Sequence, residues 1–232
     1  MGGEFGLLLL AALVWVGVHV GVAGTRLRGV LAARLGEGGF RALFSLASLA
    51  AIWFLVASYN AAPTTPLWFA PGWLRWVLAL LMLPAFVLLV AAFTTPNPTM
   101  AGGERAMAAG EARGIQRVTR HPMLWAFALW ATVHLLGNGD TASLVFFGAF
   151  LVTALAGMPS IDAKLARRDP AAWARLARAT SILPLGAILA GRNRLAPREI
   201  GWLPPVLGLV LWAVLLHFHG RLFGVAPVLP PG

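Results

Sequence analysis

Cysteine is absent from this 232-residue chain. That removes disulfides, thiolate metal sites, a cysteine nucleophile and cysteine-linked haem together, so any metal would have to be held by histidine or carboxylate. Charge is scarce as well. Charged residues make up 11% of the chain and hydrophobic residues 59%, against about a quarter charged in an ordinary soluble domain, which excludes a soluble enzyme. The sequence has no HExxH, no GxxxxGK, no GxGxxG and no paired carboxylates inside an apolar run. Metal-water hydrolysis and nucleotide chemistry therefore lack their residues. Internal repeats and low-complexity linkers are also missing.

What the chain does contain is a series of apolar runs. A helix rising about 1.5 Å per residue needs roughly 17 to 25 residues to cross the hydrocarbon layer. Six stretches qualify: residues 5–23, 42–59, 76–94, 122–137, 142–158 and 203–219. The expected fold is all-α, a single polytopic membrane helix bundle over residues 1–232 with short interfacial helices within 160–191. Pro84 should kink the third span. The run 181–191 is too short to span and contains Pro184, which suits an interfacial or re-entrant piece.

The net charge of +10 does not point to nucleic acid, because the arginines lie between apolar runs rather than on one soluble face. Arg26, Arg28, Arg34 and Arg41 follow the first span, and Arg105, Arg113, Arg117 and Arg120 the third. Eight more, from Lys164 to Arg198, follow the fifth. That side holds 16 of the 18 basic residues, leaving Arg75 and Arg221 opposite. By the positive-inside rule it is cytoplasmic. The expectation is a multi-pass protein of a bacterial inner membrane with both termini periplasmic. Residues 1–23 read as a retained first helix rather than a secretory signal, since Glu4 precedes the apolar core and arginines follow it.

Connections fall into two kinds. Asn138-Gly139-Asp140 makes a tight outer turn, with Asp140 or Thr141 capping the next helix. The stretch from Pro63 to Gly72, with Trp68, Trp73 and Trp76, is a rigid aromatic segment suited to headgroups. On the basic side Ser160 and Asp169 can each cap a helix, and Pro170 sits at a first helical position. Ile161, Leu165, Trp173 and Leu176 would enter the interface while arginines meet anionic lipid.

Histidines are the ionisable groups clearly inside spans, at His19 and His134, with His217 near an end. Histidines on different helices of a cysteine-free bundle could supply both axial ligands of haem b; the simpler role is interhelical hydrogen bonding. His121 and His134 stand 13 residues apart, about 20 Å along one helix, so they cannot clamp one metal. His217 and His219 differ by about 200° around their helix, so at most one faces the bundle. His19 lies about 6 Å from the inner end of its span, whereas His134 and His217 both lie about 20 Å from the inner boundary. Depth alone favours His134 with His217. Arg120-His121-Pro122, with Arg117 and Arg113 nearby, forms an inner corner suited to an anion such as a carboxylate or phosphate.

Several ordered stretches resemble the NnrU family of bacterial integral membrane proteins, whose plant relative is the 15-cis-zeta-carotene isomerase. They are His19 in the first span, LRGVLAARLGEGGFRALFSLASLA, TTPNPT, TRHPMLWAFALWATVHLLGNGD and IDAKLARRDPAAWARLARATSILP. The resemblance covers nearly the whole chain. It implies a membrane protein associated, by the family's name, with nitrite and nitric oxide reduction in denitrifying bacteria. Its isomerase branch implies a haem b, ligated at positions corresponding to His19 and His134, that assists cis–trans isomerisation of a polyene such as a carotenoid. His121 corresponds to a further family histidine outside that pair.

The RHP at residues 120–122, the GNGD turn and the basic tail ending in proline are also similar to isoprenylcysteine carboxyl methyltransferases, which would imply S-adenosylmethionine. Met123 and Leu124 depart from that pattern, Asp162 alone represents its acidic residue, and Trp173 stands where tyrosine is usual. A third expectation is a non-enzymatic membrane assembly or regulatory subunit. The expected partners are the lipid bilayer, an apolar polyene and, for the third reading, another protein.

Overall fold

The computed structural model describes residues 2–100, 103, 106 and 112–228; Arg105, counted above among the basic residues, lies outside them. The described residues form helices and no strand, with one isolated bridge between Pro66 and Asp140. The helices are α1 (Gly2–Val16), α2 (Leu27–Ala61), α3 (Gly72–Thr94), α4 (Pro122–Asn138), α5 (Thr141–Arg168), α6 (Pro170–Ala179), α7 (Gly186–Leu189), α8 (Pro197–Ile200) and α9 (Leu203–Phe223). A π-helical turn, Gly17–Val22, continues α1, and a 3-10 turn covers Gly114–Arg117. Five stretches are long and apolar enough to cross a membrane: Gly2–Val22, α2, α3, α5 and α9. At 17 residues, α4 sits at the short end of the spanning range. Leu13, Leu46 and Trp53 are 70, 66 and 73% exposed, and apolar surface of this size on helix faces needs lipid to cover it. The protein is a multi-pass membrane protein.

Three boundaries depart from the sequence expectation. The second helix begins at Leu27 rather than residue 42, because its basic approach is itself helical and breaks only at Gly36 (φ 72°, ψ 162°). Arg28 reaches past that break to Glu37 with two bonds of 2.9 and 2.6 Å, and its guanidinium lies 5.1 Å from the Phe40 ring centre. The fifth helix runs through Pro159 to Arg168, so Ser160 is an interior residue and not a cap. Its hydroxyl donates instead to the Gly24 carbonyl at 2.8 Å. The third helix is continuous through Pro84. Where the 181–191 run was read as interfacial, a single helical turn, α7, forms.

The chain folds as two compact units, one of residues 1–71 and 131–160, the other of residues 72–130 and 161–232. In the first, α1 and its π turn pack against α2. The Asn138-Gly139-Asp140 turn forms as expected. Asp140 accepts from the Ser143 amide at 2.9 Å and its hydroxyl at 2.6 Å, capping α5. Ser143 in turn meets the Tyr59 hydroxyl at 3.0 Å. The Gly139 carbonyl accepts from the amides of Leu67 and Trp68 at 2.7 and 3.1 Å, so the aromatic segment before α3 is tied to this turn. In the second unit, α3 and α9 run antiparallel. Trp212 donates its indole N–H to the Ala79 carbonyl at 2.6 Å, and Gly208 lies so close to α3 that a Cβ would stand 2.9 Å from the Val87 amide nitrogen. Leu88, Ala91, Ile115 and Ala126 form a buried cluster there. Asp169 caps α6 by accepting from Ala172, with Pro170 at its first turn.

Candidate functional site

In the first unit the notable group is His19. Four residues earlier, the Trp15 carbonyl faces its Nδ1 at 2.9 Å. A carbonyl only accepts, so Nδ1 carries the proton; in the neutral ring Nε2 then keeps a lone pair, the form a metal requires. The turn that presents it is π-helical, closed by Ala23 donating to Val18 at 3.1 Å. Such an insertion re-aims one side chain and recurs at functional positions. The imidazole packs 3.9 Å from Trp15 and 5.5 Å from Phe44, centre to centre. The Trp15 indole nitrogen and the Ser48 hydroxyl are buried without a hydrogen-bond partner among the described residues, an uncommon state for polar atoms in an apolar setting.

His134 belongs to the same unit and stacks on Phe147 at 4.8 Å. The two histidines connect through successive ring contacts. From His19 they run to Trp15, then Phe150 (4.8 Å), Phe146 (5.3 Å) and Phe147 (5.0 Å), and so to His134. Tyr59 joins this run at Phe146, 4.5 Å away. His217, in the second unit, meets Phe218 edge-on at 4.6 Å.

The Arg120–His121 corner forms in the second unit, and the anion it holds is Asp162 of the same chain. Arg120 Nε lies 3.0 Å from both carboxylate oxygens and Nη2 2.6 Å from Oδ2, while His121 Nε2 lies 2.8 Å from Oδ1. All three residues are buried, His121 at 1% exposure. The Trp173 ring centre lies 5.2 Å from the guanidinium carbon, and the Thr180 hydroxyl 3.5 Å from Nη1. Local sequence builds this arrangement. Thr119 receives the His121 amide at 3.2 Å and donates to the Ile182 carbonyl at 2.7 Å, so the RHP corner is pinned to the segment after α6. Thr99 of TTPNPT donates to the Arg120 carbonyl at 2.8 Å. With Nε2 facing the carboxylate, His121 Nδ1 is left buried and without a partner among the described residues, as is the Asn97 amide nitrogen.

Arg117 is held apart from that corner. It grips Glu199 through Nε (2.8 Å) and Nη2 (2.9 Å) and donates to Asn193 at 2.6 Å, while Glu199 also accepts from the Gly114 amide at 3.0 Å. These bonds, Arg117's first among them, hold the Glu199 carboxyl down at about 2. The sequence therefore pointed to the cations of both clusters, but not to Glu199, Asn193, Thr180 or the clamp on Asp162. Acidic residues number eight in the chain, and each one on the arginine-rich side was a candidate counter-ion for that reason. Trp15 and Phe44 were missed too, although Trp15 stands at the i−4 position of His19, where helical side chains meet.

The fold and the buried Arg120–His121–Asp162 cluster define a helical integral membrane protein. The chain belongs to the NnrU family: the family model described as NnrU protein matches residues 7–227. It is 27% identical over 197 residues to the 15-cis-zeta-carotene isomerase of Arabidopsis thaliana, a chloroplastic protein, covering 80% of this chain and 51% of that one. The Zea mays protein of the same name is 26% identical over 202 residues, 81% and 52% of the two chains. The chain thus spans about half the length of these curated relatives. No solved structure matches it.

Proposed function

We propose that the protein is a membrane isomerase acting on an apolar polyene, with a haem b held by His19 and His134. The observation that carries this reading is the Nδ1 bond of His19 to the Trp15 carbonyl, which fixes the ring and prepares Nε2 for iron. The donor set fits the group: two histidines lie in one apolar unit of a cysteine-free chain, with aromatic rings around both. Bound there, haem would supply an iron centre able to coordinate, or exchange an electron with, a conjugated double bond. The protein's share is to hold the imidazoles, exclude water and offer a lipid-accessible apolar surface to the substrate. That the Arabidopsis thaliana and Zea mays relatives are carotene isomerases supports a polyene as ligand.

The test is an absorption spectrum of protein purified from haem-supplied cells, oxidised and reduced. A Soret band that His19→Ala and His134→Ala shift or abolish, and His121→Ala leaves intact, is expected. No Soret band, natively or after haem is added, overturns the cofactor. An effect of His217→Ala with none of His19→Ala would reassign the ligand pair. Haem-loaded protein that leaves a cis-polyene unchanged would favour a haem-binding subunit, the role that fits the family's association with denitrification. Saturable binding of S-adenosylmethionine, lost in Arg120→Ala, would favour methyl transfer.

A further inference from the structure

A cavity of about 640 Å³ opens in the second unit beside the 3-10 turn, lined by Arg113, Arg117, Arg192, Asn193 and Glu199 with small alanine walls. The one carboxylate of the lining, Glu199, is taken up by Arg117. Arg117 is fixed by Glu199 and Asn193 as described and serves as wall. Arg192 is arranged differently. Its Nη1 alone donates to the last carbonyls of α6 and beyond, at Ala177 (3.2 Å), Arg178 (2.6 Å) and Thr180 (3.1 Å). Anchored by that nitrogen, the guanidinium keeps its Nε–H and Nη2–H edge for another partner. That edge is the parallel pair of donors that binds two oxygens of one phosphate.

We propose that this cavity binds a phosphate-class anion, with the free edge of Arg192 as its principal contact. The location offers two sources. The cavity lies among the connections that carry the chain's basic excess, and neighbouring Leu189, Leu195 and Trp202 are 83, 52 and 72% exposed. Apolar side chains of this kind suit the headgroup layer, where lipid phosphates lie. A soluble phosphate or diphosphate would reach the same arginines from the aqueous side. The inference is independent of the haem reading and uses none of its residues.

The test uses the full chain in an uncharged detergent, titrated calorimetrically with inorganic pyrophosphate, and in parallel reconstituted in nanodiscs of phosphatidylglycerol or phosphatidylcholine with lipid retention read by native mass spectrometry. Saturable, salt-sensitive binding is expected in at least one arm, about tenfold weaker or more in Arg192→Ala, as befits loss of charged hydrogen bonds. Arg192→Lys should recover part of it, since charge returns without the fork. Arg194→Ala, which removes an equal charge outside the cavity lining, should change nothing. If Arg192→Ala lowers Tm, Arg192→Gln, which keeps much of the side chain's length without its charge, carries the comparison. Pyrophosphate binding alone identifies a soluble anion, and phosphatidylglycerol retention alone identifies a headgroup. No saturable binding in either arm by folded protein, or equal weakening by Arg194→Ala, overturns the proposal.

Discussion

Asp162 sits where removing one carboxylate takes away the group that both Arg120 and His121 face. Its carboxylate takes Arg120 along one edge and His121 on Oδ1, in a site where all three residues are buried. The net worth of such a cluster is small, because desolvation offsets attraction, but breaking it by removing one partner typically costs about 3 to 5 kcal/mol. Asp162→Ala should therefore lower stability by about that amount in detergent unfolding, and Asp162→Asn by less, because the amide oxygen still accepts one bond. A fall under 1 kcal/mol for Asp162→Ala would mean water already reaches the corner. Glu199 makes the opposite kind of prediction. Its folded pKa is depressed from 4.5 to about 2, so its contribution is present above pH 4.5 and is lost as pH falls from there toward 2. Protection of the amides around Gly114 and Asn193, relative to their intrinsic exchange rates, should fall across that window in the native chain, and in Glu199→Gln it should be the same at both ends of it. The RHP triplet announces the cations from sequence alone. Its counter-ion lies 42 residues on, a separation that local pattern does not encode, and the S-adenosylmethionine resemblance touched Asp162 without revealing the clamp.

At the scale of elements, close backbone approaches decide which substitutions the bundle tolerates. Gly139 holds φ of 64° beside Trp68, and an added Cβ would collide with the Trp68 carbonyl oxygen. Gly139→Ala should thus cost more than the roughly 1 kcal/mol gained at permissive positions, and should free the Trp68 indole from its 3.0 Å bond to the Leu136 carbonyl. A blue or red shift of emission in the variant, against no shift in Gly148→Ala, whose surroundings are open, is the readout. In the second unit, Gly208→Ala presses against Val87 and should cost about 1 to 3 kcal/mol by overpacking. Apolar run length gave away the helices, since length and hydropathy are local quantities. Their ends were harder to read. Leu27 to Arg41 looked like a polar connection because its charges suggested water, yet Arg28 satisfies Glu37 within the helix. The fifth span was drawn to end at residue 158 with Ser160 as a cap for the next helix, yet a helix tolerates the one bond missing at Pro159 when its neighbours hold it, as Ser160 does through Gly24.

For the whole molecule, the arrangement of basic residues makes a claim about direction that the helices alone do not. Arg26, Arg120, Arg168 and Arg194 follow spans that all end on one side if six segments cross, and Asn138 lies on the other. The weak point is α4, whose 17 residues cover about 25 Å at helical rise, slightly less than the roughly 30 Å hydrocarbon layer. Should α4 fail to cross, everything after it reverses, and Arg168 and Arg194 move to the face opposite Arg26. The absence of native cysteine makes this directly measurable. Single cysteines placed at Arg26, Asn138, Arg168 and Arg194 in intact cells should give labelling by a membrane-impermeant maleimide at Asn138 alone, with the other three labelled only after the membrane is permeabilised. Equal labelling of Arg26 and Asn138 sites would contradict the charge rule itself, whereas outside labelling at Arg168 and Arg194 would show that α4 is re-entrant. In that second case residues 122–138 would enter and leave by one face.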